Sequence, residues 1–371
     1  MSSKRIFAAL AAALILLLAL PSQAKNEGTV SAQAAVLMEV TTKRVLMYEQ
    51  AHERLPMAST TKVMTAILAI EHCGLDELVK TPDEAYGVEG SSIYLGNGES
   101  LSMEDMLYGL MLRSGNDAAV AIAIHVGGSV EGFVSMMNEK ARELGAINTN
   151  FVTPNGLPAQ EHYTTAYDLA LITAYAYQNE DFVRIASSQY HRTSTGDVAR
   201  SMKNKNKLLW EYEGSLGGKT GFTKAAGKCL VFAAERDGMR LVGVVLNAPD
   251  MFNDAKSLLN SGFSSYRMET VAREGDTLAQ INVSSGEKYL LEVAAAQDII
   301  IPVSVQGEKL NMAVSLGTNA VAPVQAGEKL GCVHVRSGET DIGEYALIAK
   351  HGVKKAGYGH YLKRLASGWT A

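Results

Sequence analysis

The chain has 371 residues, 47% of them hydrophobic and 20% charged, with a formal net charge of −5. That balance belongs to a globular chain able to bury a core, and excludes a disordered or fibrous one. Nothing in it suggests a nucleic-acid partner.

Residues 1–24 begin with Lys4 and Arg5, run apolar from Phe7 to Leu20 and end in Pro21-Ser22-Gln23-Ala24. This is the pattern of a secretory signal peptide, too short for a convincing membrane span, and it predicts an exported protein on the extracytoplasmic face of the envelope. Next, "AAVLMEV" and "RVLMYEQ" flank Thr41-Thr42-Lys43 and read as a hairpin. From Ser59 to about Tyr177 the periodicity is helical, over 59–72, 102–112, 116–126, 129–144 and 165–178, with loops such as "EGSSIYLGNGES" and "TPNGLP" between. Strands return over 218–247, where "KCLVFAAE" and "MRLVGVVLN" are joined by the hairpin signal Arg236-Asp237-Gly238, and a helix over about 252–266 follows. Sheet segments at both ends with helices between them predict a mixed α/β unit, residues 25–272. Its antiparallel sheet has first and last strands that meet, packed by helices.

Past Arg273 the pattern changes to short alternating strands: "TLAQINV", "KYLLEVA", "DIIIPVSV", "LNMAVSL", "KLGCVHV" and "GEYALIA". Residues 273–351 are therefore expected to form a small all-β domain. Its recurring "SSGEK", "VQGEKL" and "VQAGEKL" are hairpin chemistry, because a repeat array needs a fixed period and these spacings are unequal. In residues 352–371, Tyr358, Tyr361, Leu362, Leu365 and Trp369 share a helical face, with Lys363 and Arg364 off it. That suits peripheral contact with an anionic membrane, and equally a short helix docking on the β domain.

Cys73, Cys229 and Cys332 are too few and too far apart for a disulfide framework, and Cys229, opening "CLVFAA", reads as a core residue. With no Cys-x-x-Cys, no Cys/His cluster and no His-x-x-x-His pair, neither metal nor cofactor is expected.

The stretch "ASTTKVMTAI", residues 58–67, reads as a helix start with Ser59 as its N-cap, but Lys62 stands where a capping box and the helix dipole favour an acid. Ser-x-x-Lys alone is weak, since Ser285-Gly286-Glu287-Lys288 fits it and reads as a hairpin turn. Ser59 and Lys62 gain weight from Ser114-Gly115-Asn116 in a loop between helices and from Lys219-Thr220-Gly221 opening a strand. Taken singly these are a cap, a turn and an edge strand; together they fit acyl transfer. A serine hydroxyl attacks a carbonyl once a neutral lysine one turn on takes its proton, and burial and nearby cations lower a lysine pKa. Ser114 can relay a proton to the leaving nitrogen and Asn116 can donate to a substrate carbonyl. Lys219 and Thr220 can hold a substrate carboxylate, while Gly221 lets a substrate backbone dock along the strand edge.

These motifs, with "GSSIYLGNGESLSMEDMLYGLMLRSGNDAAVAIA", "FVTPNGLPAQEHYTTAYDLA" and "GGKTGFTKAAGKCLVFAA", resemble the low-molecular-mass penicillin-binding proteins that are serine-type D-alanyl-D-alanine carboxypeptidases. The resemblance implies a penicillin-binding/β-lactamase-like transpeptidase fold followed by the all-β domain. It implies an enzyme that trims the terminal D-alanine from peptidoglycan stem pentapeptides through an acyl-enzyme, with β-lactams as covalent inhibitors. It further implies Ser59 as nucleophile, Lys62 as general base, Ser114 and Asn116 as the middle element, and Lys219 and Thr220, beside Gly221, as the carboxylate pair. The oxyanion amides would be those of Ser59 and Phe222. Members often carry an arginine before the last helix of this domain. Here the region reads "NAPDMFNDAK", so carboxylate recognition leans on Lys219 and Thr220. The rival readings are a D,D-endopeptidase using the same residues, a class A-like β-lactamase, for which only Glu161 is on offer as deacylating acid, and a non-catalytic penicillin-binding sensor.

Overall fold

In the computed structural model, which describes residues 30–360, the first expected hairpin is β1 (Ala34–Glu39) and β2 (Val45–Glu49). The returning strands are β3 (Ser215–Thr223), β4 (Gly227–Arg236) and β5 (Met239–Leu246). All five form one sheet in the order β2-β1-β5-β4-β3. The first and last strands do meet, in an antiparallel β1–β5 ladder from Ala34 opposite Leu246 to Glu39 opposite Leu241. Asp237 and Gly238 both take positive φ, as a tight hairpin between β4 and β5 requires. The expected leader, residues 1–24, and residues 361–371 of the expected tail lie outside the described residues.

Seven α-helices of six to fifteen residues pack around this sheet among the described residues: α1 (Lys62–His72), α2 (Met103–Tyr108), α3 (Asn116–Gly127), α4 (Val130–Glu143), α5 (Ala166–Ala176), α6 (Glu180–Ser187) and α7 (Met251–Ser265). Both sheet faces are covered, which is why β1 and β5 read as unbroken apolar runs. Val36, Met38, Val242 and Val244 enter the helical core that holds Leu169 and Ile172 of α5. Leu37 and Leu241, pointing the other way, meet Gly262 of α7. Helix α1 is buried at every position from Lys62 to Ala69, so its first-turn cation is inside the protein rather than on its surface.

Two local departures from expectation matter. The helix expected over 102–112 is split into α2 and a π-helical turn, Gly109–Arg113, which ends on Ser114 in the left-handed region (φ 66°). Helix α6 was not expected, because its polar start conceals a cap: Asn179 accepts from the amides of Asp181 (3.0 Å) and Phe182 (3.1 Å).

The described residues divide into two compact units, the first ending at Arg267 and the second taking up at Met268. The strands from this junction onward are β6 (Tyr266–Ala272), β7 (Thr277–Ser284), β8 (Leu290–Ala295), β9 (Ile299–Ser304), β10 (Leu310–Leu316), β11 (Ala320–Val321), β12 (Lys329–Ser337) and β13 (Thr340–Ala349). Six make a sheet in the order β10-β12-β13-β8-β7-β11, while β6 pairs with β9. Ser285, at φ 59°, sits in the β7–β8 turn, so the second Ser-x-x-Lys is the hairpin it was read as. One grouping escaped the sequence reading, which saw no Cys/His cluster. Val333 and Val335 point into this unit's core, leaving Cys332 and His334 side by side on the outer face, where Glu344 joins them. A strand places residues i and i+2 together, a spacing that a search for Cys-x-x-Cys or helical His pairs passes over.

Candidate active site

Ser59 is not a helix cap, contrary to the reading from sequence. Ala58–Thr61 form a 3-10 turn that runs on into α1, and no side chain caps either segment. The neighbouring hydroxyls tie the turn down instead, Thr60 donating to the Met57 carbonyl (2.6 Å) and Thr61 to that of Ala58 (2.8 Å). Ala58 itself has φ 49°, an unfavourable value for a residue with a Cβ, held by these ties.

Two glycines let other backbone segments press on this turn. Gly156 has φ +82°, and a Cβ there would lie 2.0 Å from the Ala58 carbonyl oxygen. At Gly221 on β3 a Cβ would come within 3.1 Å of both the Ser59 nitrogen and the Met57 oxygen. What Gly221 admits is thus the serine turn, a use the sequence reading did not foresee.

His162 supports the same turn from behind. It is buried, and that burial lowers its pKa to about 4, so the ring is neutral at pH 7. Its Nδ1 accepts from the Val152 amide (2.9 Å), which leaves Nε2–H to donate to Thr61 Oγ1 (2.9 Å). The Thr61 hydroxyl is then free to donate onward to Ala58, as observed.

Lys62 Nζ lies 3.1 Å from Ser59 Oγ, 2.7 Å from Asn116 Oδ1, and within hydrogen-bond reach of the Asn155 carbonyl. Burial, then the nearby charges of Lys219 and Lys205, push its pKa well below the ordinary lysine value, against a smaller opposing pull from Asp117. A neutral amine has two hydrogens and one lone pair. Two of its three neighbours are carbonyl oxygens that can only accept, so they take both hydrogens. The lone pair is left facing the Ser59 hydroxyl.

The π-turn delivers Ser114 and Asn116 to the start of α3, both buried. Asn116 turns its oxygen to Lys62 and donates one amide hydrogen to the Glu89 carbonyl (2.6 Å), leaving the second for another acceptor. On edge strand β3 the period of two places Lys219 and Gly221 on the buried face and Thr220 and Phe222 on the more open one. Lys219 Nζ donates to the Thr220 carbonyl (2.8 Å); burial, aided by Lys205, lowers its pKa to about 7.

The structure therefore gathers Ser59, Lys62 and Asn116 into one hydrogen-bonded group, with Lys219 close enough to act on Lys62 by charge. Sequence reasoning missed three contributors. Asn155 acts through its backbone, which leaves no side-chain signature. Lys205, donating to Ser91 Oγ (3.2 Å), looks like part of a solvated "KNKNK" run. His162 lay beside Glu161, the acid considered instead, but Glu161 is exposed on a turn. In the arginine-free stretch before α7, Lys228 donates to the Pro249 carbonyl (2.8 Å).

Comparison with known proteins places this geometry in context. A family model for D-alanyl-D-alanine carboxypeptidases matches residues 21–250, and one for the C-terminal domain of penicillin-binding protein 5 matches residues 266–355. The chain is 34% identical to the D-alanyl-D-alanine carboxypeptidase DacF of Bacillus subtilis, over 99% of both chains. It is 30% identical to DacC of Escherichia coli, covering 89% of this chain and 86% of that one. Penicillin-binding protein 5 of Haemophilus influenzae superposes with a TM-score of 0.77 at 28% identity, over 89% of this chain and 99% of that structure.

Proposed function

Because the chain belongs to the D-alanyl-D-alanine carboxypeptidase family, we propose that its reaction runs through Ser59 as nucleophile and Lys62 as base. Ser59 Oγ attacks the carbonyl of the penultimate D-alanine of a peptidoglycan stem pentapeptide while its proton passes to Lys62. The backbone amides of Ser59 and Phe222 hold the oxyanion, and the close approach that Gly221 permits supports that pairing. Collapse breaks the C–N bond, Ser114 relays a proton to the departing nitrogen, and terminal D-alanine leaves. A water deprotonated by Lys62 then attacks the acyl-enzyme and regenerates the Ser59 hydroxyl. The Lys219 ammonium and the Thr220 hydroxyl hold the terminal carboxylate, and Asn116 donates its remaining hydrogen to the substrate amide carbonyl.

The observation that carries this reading is the donor count at Lys62, where two carbonyl acceptors leave the lone pair for Ser59. β-Lactams acylate the same serine and leave slowly. The leader pattern of residues 1–24 supports export, so the enzyme works on the extracytoplasmic face of the envelope. Residues 25–272 serve as the catalytic domain and 273–351 as the accessory β domain.

The test is incubation with a diacyl-Lys-D-Ala-D-Ala peptide and, separately, a labelled penicillin, with mass spectrometry of the digested protein. The expected result is released D-alanine and a penicilloyl adduct on the Ser59 peptide, both absent in Ser59→Ala. An adduct elsewhere, or turnover that survives Ser59→Ala, would overturn the assignment. A crosslinked muropeptide in the same assay measures endopeptidase activity directly.

A further inference from the structure

We propose that Cys332, His334 and Glu344 form a binding site for a divalent transition metal of the zinc class on the outer face of the β12–β13 hairpin. The three donor atoms lie within 4.8 Å of one another. Cys332 Sγ is 3.5 Å from His334 Nε2, which in turn is 3.8 Å from Glu344 Oε2. A tetrahedral zinc, with bonds of about 2.3 Å to sulfur and about 2.0–2.1 Å to nitrogen and oxygen, holds its ligands about 3.4–3.6 Å apart. Shifts of a few tenths of an ångström therefore seat an ion.

The backbone sets this spacing. Cys332 and His334 are successive same-face positions on β12, and Glu344 is the direct cross-strand partner of His334 on β13. The cross-strand neighbours are small: Ala346 and Ser315 stand opposite Cys332 on either side, and Ala313 stands opposite His334. A thiolate, an imidazole and a carboxylate suit zinc or cobalt, and hard cations such as magnesium poorly. Three protein ligands with the exposed Glu344 at the rim leave the fourth position to water. In the metal-free triad the Cys332 thiol keeps its proton, with Sγ 3.5 Å from His334 Nε2. The ion takes the place of that proton: the S–H bond breaks, a metal–sulfur bond forms, and one proton leaves to solvent.

A second grouping, Cys73, Glu77 and His125, is a weaker candidate. It draws on a helix end, a turn and another helix, and its His125 and Glu77 are closed on each other at 2.9 Å.

The test uses the full chain titrated with Co2+ alone, then Zn2+. One equivalent of Co2+ is expected to give a near-ultraviolet sulfur-to-cobalt charge-transfer band with release of one proton, and one equivalent of Zn2+ to abolish the band. Cys332→Ser is expected to remove the band, while His334→Gln and Glu344→Gln each weaken binding at least about 10-fold and Cys73→Ser leaves it unchanged. Circular dichroism in the β region confirms that each variant is folded, with His334→Gln carrying the test if Cys332→Ser is not. No band in the parent protein, a band that persists in Cys332→Ser, or one lost in Cys73→Ser would each overturn the proposal.

Discussion

A lysine that is to act as a base must be neutral near pH 7, and one that is to hold a carboxylate must be charged. The same burial acts on both in this cleft, so the difference between them has to come from their neighbours. Lys62 faces Lys219 and Lys205 in addition to its burial and is held well below the ordinary lysine value, while Lys219 is lowered to about 7. A charged Lys219 repels a charged Lys62 and so favours loss of the Lys62 proton. Raising the pH through the Lys62 pKa supplies the base, and raising it past about 7 discharges Lys219 in the free enzyme. kcat/KM for a D-Ala-D-Ala peptide should rise and then fall with pH, the fall centred near that second value. A bound carboxylate stabilises the ammonium, so the falling limb of kcat should lie at higher pH than that of kcat/KM. Lys205→Gln removes a repelling charge and should move the falling limb of kcat/KM upward. Pre-steady-state and steady-state rates across the pH range check all three statements, and a falling limb that ignores Lys205 would refute the charge coupling.

At the scale of elements, the reactive turn is held by what presses on it rather than by its own sequence. The Gly156 loop and strand β3 close on Ala58 and Ser59 from two sides. Gly156→Ala would force a Cβ into the Ala58 oxygen, 2.0 Å away, at a φ that only glycine adopts without strain. The expected cost is about 1–3 kcal/mol of stability, with acylation by penicillin slowed about 100-fold because the nucleophile is displaced. Denaturant unfolding and a stopped-flow acylation rate measure the two effects. The hairpins and most helices were legible because their information is local: Arg236-Asp237-Gly238 carries its own turn, and the apolar spacing of α1 its own face. The side chains that meet at Lys62, with Lys219 beside them, were legible because three short motifs each put a distinctive residue at a fixed offset. That Ser59 is no cap, that a π-turn precedes Ser114 and that the Asn155 carbonyl meets Lys62 were not. The first and the last rest on meetings of remote segments, Gly156 and β3 against the serine turn and the Asn155 carbonyl against the Lys62 side chain, and no local pattern records such a meeting.

At the scale of the molecule, the described residues contain two separate apolar cores. One gathers residues from Ala34 to Leu246, and the other residues from Ala272 to Val353. Each core can melt as its own cooperative unit, so calorimetry of the intact chain should show two transitions rather than one. Only the first unit contains Ser59 and Lys219. A β-lactam on Ser59 would bring its carboxylate to the Lys219 ammonium, giving a counter-charge to a buried cation that burial alone disfavours. That pairing favours the folded state of the first unit and leaves the second untouched. Acylation should therefore raise one transition by about 3–6 °C, equivalent to about 1–2 kcal/mol, without moving the other. In Lys219→Gln the adduct still forms, more slowly, but its carboxylate has lost its partner and the upward shift should largely vanish. A single transition, or two that move together on acylation, would show that the two cores unfold as one.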